Sequence, residues 1–352
     1  MVKCYLCKIN DADATNSHII TFALIKEAIN LTGYKERDYE VTFIIPNSNI
    51  PKLYAGHSVI PEKLEKILEN NATKKIIEKY NPLSRDHIFC ISCEKAIGKI
   101  ESLFIDKVYN KLIKQSFDKV LKDSRENGIF ELSEFNSKLT KLLAYSLFFR
   151  TSLIKLSNVT LKFEIHENIR TLMLSIFDKD QKTIEININK LKQENFIFPL
   201  IVIYLDTDSK DETGQNIVIQ NKSETLYFIW ANRMIFQLFQ KESHIQSSLQ
   251  NFYGLNQIVP DKDYNTSANR GNSICILSND NRAKLVKSAL SFLVEENMQN
   301  AKMLLKKAFN KLFRRNPTFK ETNAFLYNYS RLCCMNKIVI IINLSFFIVR
   351  LF

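Results

Sequence analysis

Cys4-Tyr5-Leu6-Cys7 and Cys90-Ile91-Ser92-Cys93 are the two stretches that decide how this chain folds. Each has the two-residue spacing that turns both thiolates toward one ion, and together they supply the four soft ligands of a closed, tetrahedral zinc site. Four thiolates leave no open position for water, so such a zinc holds structure and does not react. The competing reading is four ordinary buried cysteines that happen to be paired. The 82 residues between Cys7 and Cys90 place a large insertion inside the finger that the two pairs would close.

Working outward, Ser17-His18-Ile19-Ile20 forms an extended piece, and Phe22, Leu24, Ile25, Ala28 and Ile29 give a helical stripe over about 21–31 that Gly33 stops. Tyr39 to Ile45 alternates like a strand before the proline-marked loop 46–51. A charged helix follows Pro61, Asn81-Pro82 breaks it, and His87-Ile88-Phe89 reads as a short strand delivering Cys90. Helical spacing then predicts one helix from Cys93 to about Leu121 and a second over about Leu132 to Leu156. Beyond it the character changes. Thr183 to Ile188 alternates as a strand would, Phe198 to Leu205 is a buried strand, and Gln215 to Gln220 is another. Leu226 to Phe239 is apolar enough for either two strands or one buried helix, and Asn281 to Arg315 reads as helical and basic. The fold class expected is α+β: a zinc-stapled N-terminal domain with helices over 1–156, a mixed α+β domain over 157–335, and an apolar tail over 336–352.

Composition narrows the function classes. The chain has 352 residues, 45% of them hydrophobic and 24% charged, with only 7 glycines, and it carries no glycine-rich phosphate loop or dinucleotide fingerprint. A net charge of +12 suits a polyanionic partner, although richness in Lys, Asn and Ile accounts for part of it. Seven cysteines, with the first metal pair beginning at Cys4, point to a reducing cytoplasm and thiolates on metal instead of in disulfides. The apolar run Ile338 to Phe352, interrupted by Asn343 and Arg350, is shorter than the ~20 residues a bilayer requires. A buried strand, or a tail altered by a shifted reading frame, fits it better than a membrane anchor.

The order CxxC, Ser17-His18-Ile19-Ile20, then Cys90-Ile91-Ser92-Cys93-Glu94 with Glu101 seven residues on, resembles the treble-clef, zinc-stapled branch of the HNH (His-Me finger) endonuclease superfamily. Tyr145 to Ser152 (YSLFFRTS) is similar to a helical segment that follows this element in such proteins, and the resemblance covers about residues 1–155. It implies phosphodiester hydrolysis in nucleic acid, DNA rather than RNA. His18 would be the general base, with a divalent ion, usually magnesium, steadying charge on the scissile phosphate. It also implies the structural zinc on Cys4, Cys7, Cys90 and Cys93, and a weak association with phage defence. The pattern departs from the family in two places. Ser17 stands where an acid or second histidine precedes the base, and no histidine follows Cys93 within its helix.

Glu94 and Glu101 are the available carboxylates, two turns apart on one helical face, within reach of a common ion. The plainer alternatives are an N-terminal acid favoured by the helix dipole for Glu94 and an exposed charge for Glu101. His18 has plainer alternatives too, as a zinc ligand or a helix cap. His87, three residues before Cys90, is close enough to support the site. Lys107, Lys111 and Lys114 are candidates for backbone-phosphate contacts, ahead of the basic stretch Lys302 to Arg315. The second function class is a non-catalytic zinc-finger scaffold that binds nucleic acid or, through residues 157–335, a partner protein.

Overall fold

The computed structural model describes residues 2–15, 17–24, 41–44, 52–55, 84–115, 117, 127–153, 161–206, 218–222, 226–248, 273–285, 288, 316, 318, 320, 322, 339–343 and 346–350. Its elements, in chain order, begin with strands β1 (Ser17–His18), β2 (Val41–Ile44), β3 (Lys52–Ala55) and β4 (Ser84–Arg85). Helix α1 (Ile91–Phe104) continues through a π turn, Ile105–Tyr109, into α2 (Asn110–Lys114). Strand β5 (Gly128–Glu131) leads into the long helix α3 (Glu134–Ser152), then α4 (Phe163–Ile176) and α5 (Gln181–Lys190). The remainder comprises β6 (Leu200–Leu205), β7 (Val218–Lys222), β8 (Leu226–Ala231), β9 (Met234–Phe239), α6 (Ser243–Ser248), β10 (Ser273–Leu277), β11 (Val339–Asn343) and β12 (Phe346–Arg350).

The larger sheet is mixed and runs β12-β11-β7-β8-β9-β6-β10-β5, with parallel pairs β6–β10 and β7–β11. Every residue of β6, β8, β9 and β10 is buried, which is why these strands read as continuous apolar runs and not as alternations. The two-residue side-chain period then decides which residues meet the helices. Leu200, Val202 and Tyr204 of β6 join Tyr227, Ile229 and Ala231 of β8, Met234, Phe236 and Leu238 of β9, and Ile274 and Ile276 of β10 in one cluster with the helical core. Asn232, in the left-handed region at φ 53°, makes Leu226 to Phe239 a hairpin and rules out the buried helix.

Helix α3 lies at the centre. From Ser137 to Thr151 it is buried on nearly every side except at Lys141, and it packs on α1, α4 and α5. Ser133 caps it, accepting from the Asn136 amide at 3.3 Å. Tyr145 ties it to the start of β6: its hydroxyl donates to the Phe198 carbonyl at 2.6 Å and accepts from the Phe198 amide at 3.0 Å. One cluster of buried residues runs without a break from Cys4 through α1, α3, α4 and α5 to Ile276.

Three expectations are corrected. Thr183 to Ile188 is helical, within α5, because Asp180 caps it by accepting from the Thr183 amide at 3.0 Å. Ile184 and Ile188 are buried at the i, i+4 spacing that a helix shares with an alternating strand, while Ile186 is 51% exposed. His87 takes a φ of 59°, which breaks the extended run expected at 87–89, and the strand that forms instead is β4, two residues earlier. The helix from Cys93 ends at Lys114, where Gln115 turns extended, short of Leu121. The apolar tail forms the β11–β12 pair, in line with a strand reading. In the helix expected over 21–31 only Phe22 to Leu24 is described and helical; its remainder, the loop 46–51, the helix after Pro61 and the basic stretch 302–315 lie outside the described residues.

Candidate metal centre and the His18 cluster

Residues 2–15 and 84–94 are zipped together across the long insertion. The Cys4 carbonyl accepts from the Lys8 amide at 2.8 Å and the Cys4 amide donates to Asn10 O at 2.9 Å, so 4–10 closes into a tight knuckle. Lys8 holds the left-handed φ of 61° that this turn requires. Three further backbone bonds, Tyr5 N to Ile88 O, Ala14 N to Phe89 O and His87 N to Ala14 O, lay the knuckle against the segment that enters α1. The first turn of α1 is capped from outside its own chain segment, because Asp13 Oδ1 accepts from the Ile91 amide at 2.9 Å. Cys90 thus occupies the cap position of α1 and Cys93 its first turn.

This geometry brings the sulfurs of Cys4, Cys7, Cys90 and Cys93 within 4.8 Å of one another, with Cys7 Sγ and Cys90 Sγ at 3.9 Å. A tetrahedral zinc with ~2.3 Å bonds to sulfur sets its ligands ~3.8 Å apart, so the donor set fits that ion. Among the described residues it is also the only group of three or more His, Cys, Asp or Glu side chains that could hold a metal. The Cys4 thiol is held down at about 4, first by the hydrogen bond from Cys93, with burial opposing and the backbone around Cys7, Cys90 and Leu6 assisting. Cys93 is pushed up by that same bond and by its burial. One thiolate surrounded by donors is the arrangement expected of a cluster that exchanges protons for a metal. Asn10 Nδ2 also approaches Cys90 Sγ, at 3.7 Å.

The knuckle is fastened to α4. Lys8 Nζ pairs with Glu167 Oε1 at 2.8 Å, Arg170 Nε bonds Glu167 Oε2 at 2.8 Å, and Arg170 Nη1 donates to Leu6 O at 2.9 Å.

β1 and β4 pair through Ser17↔Arg85 and His18↔Ser84, which sets His18 at the end of a short strand beside α1. Its imidazole is half-buried, 5.6 Å from the Phe22 ring. Burial lowers its pKa, the Glu101 carboxylate opposes that, and Arg150 adds to the lowering. Glu101 is no free surface charge. Its side chain is 19% exposed, and its Oε1 accepts from Thr21 Oγ1 and pairs with Arg150 Nη1, each at 2.7 Å. Glu94 sits two turns nearer the thiolates on the same helix. Burial raises its pKa, with Ser17 and Arg150 acting in the opposite direction. Glu94 Oε2 and Ser17 Oγ are buried atoms that make no well-formed hydrogen bond.

His87 is exposed, with Nδ1 3.1 Å from Ala12 O, and it stands among the backbone bonds of the knuckle instead of among the sulfurs. Lys107 turns to α5, 3.8 Å from Glu185 Oε2, while Lys111 and Lys114 are exposed beyond it on α2. Cys275 is buried in β10, away from the thiol cluster. Sequence reasoning missed Arg150. The signal was present as a lone cation directly after the apolar run Leu142 to Phe149, where a charge that cannot be neutralised must find a partner.

Comparison of the chain with protein-family models, with curated proteins and with solved structures returns no match. No helix among the described residues is long and apolar enough to cross a membrane.

Proposed function

We propose that this chain is a zinc-stapled, treble-clef endonuclease of the HNH (His-Me finger) kind, hydrolysing phosphodiester bonds in DNA in preference to RNA. The observation that carries the reading is the placement of His18. It ends β1 within electrostatic reach of Glu101 on α1, and two of the four clustered cysteines, Cys90 and Cys93, lie at the start of that helix. A group with its pKa lowered by burial is neutral at physiological pH and free to accept a proton from an attacking water.

Cys4, Cys7, Cys90 and Cys93 would hold a zinc whose closed coordination fixes the knuckle against α1. Glu94, buried beside Ser17 near the start of α1, is the carboxylate suited to hold a divalent ion such as magnesium, which would neutralise charge at the scissile phosphate when bound. Ser17 Oγ lies beside it as a neutral supporting oxygen. Lys111 and Lys114, exposed on α2, are assigned to backbone phosphates, and Lys107 to a role shared with its pairing to Glu185. Residues 157–335 are assigned to a partner protein.

One observation favours the scaffold reading: Glu101 is engaged inside the fold by Arg150 and Thr21 and is not turned to a metal. The deciding experiment is incubation of the zinc-loaded chain with duplex DNA, single-stranded DNA and RNA, with and without magnesium, beside His18→Ala. The nuclease reading expects magnesium-dependent cleavage that His18→Ala abolishes while zinc is retained. Nucleic-acid binding without cleavage, unchanged in His18→Ala, would move the assignment to the scaffold.

A further inference from the structure

Arg150 is 1% exposed, and its guanidinium touches four separate places in the fold. Nε donates to Ser146 O at 3.3 Å on its own helix, and Nη1 donates to His18 O and pairs with Glu101 Oε1, both at 2.7 Å. Nη2 reaches Thr21 Oγ1 at 3.4 Å, and that hydroxyl in turn donates to Glu101. The partners on the first segment lie 129 and 132 residues upstream. A buried ion pair contributes little net stability compared with apolar packing of the same volume, so stability alone does not account for an arginine here. What the fork supplies is geometry. Its planar, fixed donors tie the last residue of β1, the turn after it and α1 to α3 in one arrangement, which a lysine cannot reproduce with a single ammonium.

We propose that Arg150 is the positioning residue of the His18 site: it fixes the end of β1 through the His18 carbonyl and sets the Glu101 carboxylate beside the imidazole. The imidazole is then presented in one orientation by a helix outside the zinc-bound segments. The charged groups facing His18 are Glu101 from α1 and Arg150 from α3, with Glu94 farther along α1 and the Phe22 ring from the following turn. The inference rests on His18 being the reacting group, but its test does not depend on cleavage.

The test uses the full-length, zinc-loaded chain as wild type, Arg150→Lys and Glu101→Gln. The His18 ring signal is followed by NMR across pH and assigned by its loss in His18→Ala. Arg150→Lys should keep its zinc and its circular dichroism spectrum while the His18 midpoint moves by about half a pH unit. Glu101→Gln should move that midpoint down, because the carboxylate that raises it is gone. On DNA with magnesium, Arg150→Lys should lose about 10²-fold in kcat with KM little changed, as displacement of a reacting group does. Wild-type His18 titration in Arg150→Lys, with zinc and fold intact, would overturn the proposal. If Arg150→Lys does not fold, Arg150→Gln is read in its place, and an unmoved His18 midpoint there overturns the proposal equally. If the wild type cleaves nothing, the nuclease reading falls while the NMR result still decides the positioning role.

Discussion

The lowered pKa of His18 fixes the sign of its pH dependence. Burial disfavours the imidazolium, and Glu101 and Arg150 act in opposite directions on top of that. A general base works unprotonated, so cleavage should rise with pH and level off, with the midpoint of the rise below the ~6.5 of a free imidazole. A rate–pH profile over pH 4.5–8 checks this. An acid limb centred above that value would remove His18 from the role. Tyr145 offers a separate test of structure. Tyr145→Phe strands the buried carbonyl and amide of Phe198 and should cost about 1–3 kcal/mol in urea unfolding. At this scale the cysteines were legible because metal ligation demands a local spacing. Arg150 was only half legible: its place at the end of an apolar run marks a cation in need of a partner, but Glu101, Thr21 and the His18 carbonyl lie 49 to 132 residues upstream, where local pattern cannot name them.

Between elements, the knuckle depends on α4 as well as on the cysteine cluster. Lys8, then Arg170, hold the Glu167 carboxyl down at about 2, below the 4.5 of the free group. A depressed carboxylate contributes stability that is fully present above the unfolded value and is lost as pH falls through the folded one. The loss from this group therefore belongs between about pH 4.5 and 2. Urea midpoints over that range should fall less steeply in Glu167→Gln than in wild type, and equal slopes would show that the pairing contributes nothing. The α1 cap gives a second measurement. Asp13→Ala removes the acceptor for the Ile91 amide and should cost ~1 kcal/mol, with zinc released faster to a competing chelator. Elements defined by long, strongly apolar runs were readable in the sequence, as α3 and β6 illustrate. α5 was misread because Ile184, Ile186 and Ile188 satisfy a two-residue period, while Asp180, which settles the matter, lies just outside the alternation.

For the whole molecule, the continuity of the buried cluster from Cys4 to Ile276 couples the metal centre to the sheet. Trp230 is the only tryptophan of the chain and is fully buried in β8, so its emission reports the sheet. Removing a bound metal should lower the thermal midpoint read at Trp230. The strand order was beyond the reach of sequence reading. The central strands are apolar on both faces, so their composition marks burial and leaves pairing partners and direction undetermined. The claim on which the site, the positioning of His18 and this coupling all depend is the zinc, and native mass spectrometry of the purified chain tests it most directly. The account predicts one zinc per wild-type chain and its loss in the Cys4→Ser/Cys90→Ser double variant. A folded wild-type chain that carries no zinc, or a double variant that keeps it, would contradict the account at its base.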